Sequence, residues 1–160
     1  MSTTTRTAEL AEQFATVNAE IIAAVSACSD EQWRQPTAED GRTVGIVAHH
    51  VGEVNGAFAK IVETLAAGGA YTPNVSMEEV HESNAKHARD NGGTGKAETI
   101  DLLRANGDAI LRVLASIDDT TLDQAAGVFG GHEMTVTQVL EWVVIGHTAE
   151  HLGTISKTLD

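Results

Sequence analysis

Apolar residues recur at three- and four-residue intervals along most of this chain, and that spacing predicts helices. Over residues 6–28 the stripe is Leu10, Phe14, Val17, Ile21, Val25 and Cys28. A capped turn, "SDEQW", and a loop, "RQPTAEDGR", follow. Thr43 is placed to cap a second helix over about 44–66, striped by Val47, Val51, Val54, Phe58, Ile61 and Leu65. "AAGGAYTPNV" ends it. Ser76 and Glu79 then form a capping box for a shorter helix, about 77–90, which "DNGGTG" breaks.

A third long helix is expected over about 96–117, with Ile100, Leu103, Gly107, Ile110, Leu114 and Ile117 on one face. Gly107 in that series predicts a close approach by a neighbouring helix, because glycine there otherwise costs about 1 kcal/mol in helix propensity. "DDTTLDQAAGVFGGHEM" reads as a loop with one short helical turn. Thr135 and Gln138 make a second capping box, opening a last helix that runs to about 158. No alternating strand pattern of useful length is found. The expected fold is all-α: one domain over residues 1–160, an antiparallel four-helix bundle with one long connection between its second and third long helices.

Composition narrows the function. With 23 acidic against 10 basic residues and a net charge of -13, the chain is a poor partner for nucleic acid or an anionic membrane. No apolar run reaches the roughly 18 residues a membrane span needs. "MSTTTRTAEL" carries no apolar leader, and the single cysteine cannot form an internal disulfide; both predict a cytoplasmic protein. Cys28 ends an apolar stripe and reads as a small buried hydrophobe rather than a nucleophile.

The candidate chemistry lies in the histidines. Each residue turns a helix by about 100°. In the last helix Val136, Leu140 and Val143 set the stripe; His147 falls in its middle and His151 just to one side. In the second helix His50 falls within the apolar face, and its neighbour His49 falls on the solvent side. Three inward imidazoles need up to six hydrogen-bond partners, which such a core supplies poorly. A divalent metal satisfies one nitrogen on each ring, and three protein ligands with one open position is the pattern of a catalytic zinc site. The alternative is three neutral, hydrogen-bonded core histidines. Two other metal schemes fit worse. In "HTAEH" Glu150 stands immediately before His151, not in the position of a His-Glu-x-x-His base. A di-iron bundle needs two Glu-x-x-His motifs, and the chain has one, Glu78 to His81.

The runs "DEQWRQPTAEDGRTVGIVAHHVGEV", "VHESNAKHA" and "MTVTQVLEWVVIGHTAEHLGTI", in that order and over nearly the whole chain, resemble the DinB/YfiT-like superfamily. The resemblance implies a four-helix bundle holding a divalent metal, zinc or nickel, through a histidine triad. It places the triad on His50, His147 and His151, the three the helical wheel selects. It implies that Asn84 is a candidate to line the pocket; Arg42, read from its own charge, is a candidate to contact a thiol cofactor's carboxylate, and no catalytic residue is assigned. Relatives often carry Gly-Trp where this chain has Gly41-Arg42, a change at the rim of the site.

Characterised relatives include mycothiol-dependent maleylpyruvate isomerase and bacillithiol S-transferases. The implied function is therefore a metal-dependent transferase or isomerase that uses a low-molecular-weight thiol on a small electrophile. A metal-dependent hydrolase, or a metal-binding stress-response or interaction bundle without catalysis, is the alternative. A homodimer is implied as well. Glu53, one turn after His50, reads as a surface acid, or else as a candidate to orient an imidazole. His81 and His87 flank Asn84, and His132 reads as an exposed loop residue. Trp33 reads as a packing anchor.

Overall fold

The computed structural model describes residues 5–73 and 75–160. The first four residues of the polar start, and Asn74 in the loop after the second long helix, lie outside it. The elements are α1 (Arg6–Ala27), α2 (Asp30–Trp33), α3 (Val44–Ala66), α4 (Met77–Asp90), α5 (Lys96–Leu114), α6 (Asp119–Leu122), β1 (Ala125–Phe129), β2 (His132–Thr135), α7 (Val136–Gln138), a π-helical segment (Val139–Ile145) and α8 (Gly146–Leu159).

The caps read from the sequence set these boundaries. Thr43 accepts from the Ile46 amide, and Ser29–Gln32, Ser76–Glu79 and Thr135–Gln138 form reciprocal capping boxes. Each gives two otherwise orphaned amides a partner at a helix start. The Trp33 ring lies against Gly45, and its Nε1 donates to the Thr94 carbonyl at 3.2 Å. Cys28 is buried and donates its thiol to the Val25 carbonyl.

Two apolar clusters divide the core along the bundle. One gathers Leu10, Phe14, Phe58, Val62, Leu65, Ile110, Leu114 and the start of the last helix. The other gathers Ile21, Val25, Val44, Val47, Val51, Leu103 and Ile155. Helices α1 and the last helix run from the first cluster to the second, and α3 and α5 run back. The long connection carrying α4 is what allows α3 and α5 to lie side by side in the same sense; two parallel neighbours cannot be joined by a tight turn.

That parallel contact is close. A Cβ on Gly52 would come within 3.0 Å of the Leu102 side chain, and one on Gly56 within 2.9 Å of Asn106 Nδ2. Asn106 Nδ2 also donates to the Gly52 carbonyl at 2.8 Å. Gly107 plays the expected part on the other face of α5: it admits the Asn18 side chain, which donates to the Leu103 carbonyl at 3.2 Å.

Three details depart from the sequence reading. "AAGVFGGHEM" forms an antiparallel hairpin, with Phe129 opposite His132 across the Gly130-Gly131 turn. Both turn glycines have positive φ, 58° and 83°, as a tight two-residue hairpin requires. On α3 the buried position is Val62 rather than Ile61. On the last helix the π-helical segment adds a residue to the turn, so the buried series is Val136, Leu140, Val144, Thr148, His151 and Ile155, not one through Val143.

Gly107→Ala should lower stability by about 1–3 kcal/mol, because the added methyl collides with the buried Asn18 amide and outweighs the gain in helix propensity. In an Asn18→Ala background the same change should cost little. Urea midpoints of the four proteins in this cycle test it.

Candidate metal centre

Helix α3 delivers His50 and α8 delivers His147 and His151 to one point. One ring nitrogen from each residue lies within 4.8 Å of the others. His50 Nε2 and His147 Nε2 are 3.2 Å apart. Ring centroids are 5.1 Å apart for His50 and His147, 5.2 Å for His50 and His151, and 4.5 Å for His147 and His151. The Phe58 ring closes one side, edge-on to His147 at 5.5 Å.

The wheel put His147 at the centre of the stripe and His151 beside it. The structure reverses them: His151 is buried and His147 half-buried. The π-helical segment is the cause, since its extra residue turns α8 relative to the part of the helix before it. His50 is likewise half-buried. The triad therefore sits at the edge of the core between α3 and α8.

Burial disfavours the charged form of all three rings. His50 is lowered to about 3 by desolvation, then by the neighbouring His147 and His151 and the Arg42 charge. His147 is lowered to about 3 by the same desolvation, with His151 and Arg42 adding to it. His151 shifts down as well, first through burial and then through Arg42. At neutral pH the cluster thus presents neutral imidazoles with free lone pairs, the state a metal needs.

The residues fit a divalent ion. The 3.2 Å separation of the two Nε2 atoms matches the edge of a tetrahedron with metal–nitrogen bonds of about 2.0–2.1 Å, roughly 3.3 Å. Glu150 is exposed, so no carboxylate from "HTAEH" faces the point where the rings meet.

Arg42 borders this cluster. Its side chain is only 11% exposed, and its Nε donates to Asp40 Oδ2 at 2.7 Å. One of its two remaining nitrogens, Nη1, is buried with no partner among the described residues. Asn84 is half-buried on α4. His81 and His132 are exposed and stand apart from the triad.

The sequence reading misplaced His49 and left Glu53 open between a surface acid and a partner for an imidazole. His49 does not face solvent: it is half-buried, and its Nδ1 lies 2.9 Å from His87 Nε2. Glu53 turns to His87 at 3.4 Å rather than to the triad. Both outcomes follow from α4, which packs on α3 and covers the side that a wheel of α3 alone leaves open.

In the metal-free protein the three lowered imidazoles stabilise the fold fully above about pH 6.5, and that contribution is lost as pH falls towards 3. Replacing His147 by Leu should flatten this acid loss. Urea midpoints at pH 7, 5 and 4 for the two metal-free proteins should show the wild type falling more steeply.

Comparison with known proteins agrees with this architecture. The solved structure of YfiT from Bacillus subtilis, described as a probable metal-dependent hydrolase with an unusual four-helix bundle topology, superposes with a TM-score of 0.71 at 18% identity. The match covers 96% of this chain and 85% of that one. No curated protein sequence matches. The family model of the DinB superfamily matches residues 13–155, a span that takes in all three triad histidines. By that match, and with a bundle of the same topology, the chain belongs to the DinB superfamily.

Proposed function

We propose that this protein is a metal-dependent enzyme in which His50, His147 and His151 hold a divalent ion and Arg42 anchors an anionic group of the substrate or co-substrate. The observation that carries the reading is the pairing of three neutral, converging imidazoles with a guanidinium whose Nη1 is buried and unsatisfied by the described residues. A purely structural ion needs no such cation beside it. A buried N–H of an arginine gains most from a carboxylate or phosphate oxygen.

A divalent ion in this donor set supplies Lewis acidity and acidifies a thiol or water in its open position. The chain's own residues do the rest. Phe58 walls one side of the triad with apolar surface. Asp40 holds the Arg42 fork through Nε and leaves Nη1 free to donate. Half-burial of His50 and His147 leaves the triad reachable from outside the core. An incoming molecule with a thiol and a carboxylate would place its sulfur at the triad and its carboxylate on Arg42. Thiol transfer to a small electrophile, or isomerisation by reversible thiol addition, follows from that pose. Asn84 on α4 is assigned to the wall of the same pocket. Hydrolysis is the second reading, supported by the likeness to YfiT; there Arg42 would hold an anionic leaving group or acyl substrate.

Protein prepared without a histidine tag should bind one divalent ion at the triad, and His50→Ala and His147→Ala should each abolish it with the helical fold intact. Mass-spectrometric metal analysis with circular dichroism checks this. Arg42→Met should keep that ion and raise KM for an anionic thiol by about 10–100-fold, the worth of a charge-assisted hydrogen bond. Turnover of an electrophile by carboxylate-bearing thiols, but not by water, selects transfer. Thiol-independent ester or amide cleavage selects hydrolysis.

A further inference from the structure

Adjacent residues on a helix point about 100° apart. His50 uses that angle to face α8, and His49 uses it to face α4. There, His49 Nδ1 lies 2.9 Å from His87 Nε2, and Glu53 Oε2 lies 3.4 Å from the same nitrogen. The His49 and His87 rings stack at 5.1 Å, and one donor atom from each of His49, Glu53 and His87 lies within 4.8 Å of the others.

A single proton does not serve these three atoms well. If His87 Nε2 carries it, two acceptors compete for one N–H. If His49 Nδ1 carries it, the bare lone pair of Nε2 faces a carboxylate oxygen. His87 Nδ1, the ring's other nitrogen, is buried without a partner among the described residues, so the ring cannot relieve the conflict from its far side by exchanging tautomers. The His87 side chain is only 9% exposed, which fixes it in this arrangement, while Glu53 is 52% exposed and gives access from solvent.

We infer that His49, Glu53 and His87 form a second divalent-cation site, distinct from the triad and separated from it by the His50 ring. Two imidazoles and one carboxylate are a donor set for borderline ions such as zinc, iron(II) or cobalt(II). The carboxylate offsets part of the ion's charge, which the three neutral histidines of the triad do not. That difference lets a second cation bind next to the first. The His50 and His87 rings meet edge-on with centroids 5.5 Å apart, so the two sites share a wall. The open, more exposed position of Glu53 makes this the weaker and more readily exchanged of the two sites.

The test uses the full-length, untagged, metal-free protein titrated with cobalt(II) and followed by its visible absorption and by calorimetry. The wild type should take up two equivalents in two resolvable steps. His87→Ala and Glu53→Gln should remove or weaken the second step at least tenfold and keep the first. His147→Ala should do the reverse, keeping the His49–Glu53–His87 step. The retained step in each variant shows that the protein is folded. A wild type that binds one equivalent, unchanged by His87→Ala, overturns the second site. One equivalent that survives His147→Ala and is lost in His87→Ala supports it, and would tell against the triad reading instead.

Discussion

Helix α3 must be held at one height and one rotation, and the glycine contact with α5 does this. Gly52 lies under Leu102 and Gly56 under Asn106, so the two backbones run closer than any side chain would permit. The Asn106 amide then pins the Gly52 carbonyl. Gly52 is two residues past His50 and three past His49. The same close contact therefore fixes both histidines: a slide of α3 by one residue would rotate each away from its partners. The candidate chemistry depends on a contact that involves no ionisable group.

Between the two apolar clusters lies a band of polar positions on α1, α3 and the last helix, faced by a glycine on α5. Asn18 comes between Phe14 and Ile21, Asn55 between Val51 and Phe58, and Thr148 between Val144 and Ile155; on α5, Gly107 makes room between Leu103 and Ile110. Asn55 and Thr148 are fully buried with no side-chain partner among the described residues. An apolar side chain at either position would bury more favourably. Asn18 is paired instead: its amide donates to the Leu103 carbonyl, which favours the alignment in which Gly107 makes room for it. The order of elements along the chain reinforces this, because the α4 crossover leaves α3 and α5 parallel.

Much of this was legible in the sequence because helix periodicity and capping are local. Thr43, Ser76 and Thr135 each cap the helix expected of them, and the spacing of the apolar residues gives the four long helices. The triad was legible too, since His50, His147 and His151 each lie towards an apolar face and the resemblance to relatives selects the same three. The rest depends on neighbours that no single helix reveals. His49 looks solvent-facing until α4 covers it. Val143 looks buried until the π-helical turn shifts the face to Val144. The hairpin was hidden by its small residues: "AAGVF" has no alternation to read, although Gly130-Gly131 is a turn signal in itself. Arg42 was visible as a candidate, but its buried, unsatisfied nitrogen is a property of the folded loop.

The widened turn at Val139–Ile145 has a consequence for how such a site is inherited. It works as an angular gear between the part of the helix that packs the core and the part that carries His147 and His151. With the same residues in regular α-helical winding, His147 would turn towards the middle of the bundle, where Thr148 now lies buried, and away from His50. Because this turn holds one residue more than an α-helical turn, losing that residue would restore regular winding and leave His147 and His151 facing as they do, whereas winding the same residues as plain α-helix would turn everything after them by about 100°. A relative can therefore keep all three histidines and the same spacing and still lack the cluster if this segment winds regularly, so the winding before the motif says as much about the site as the motif does.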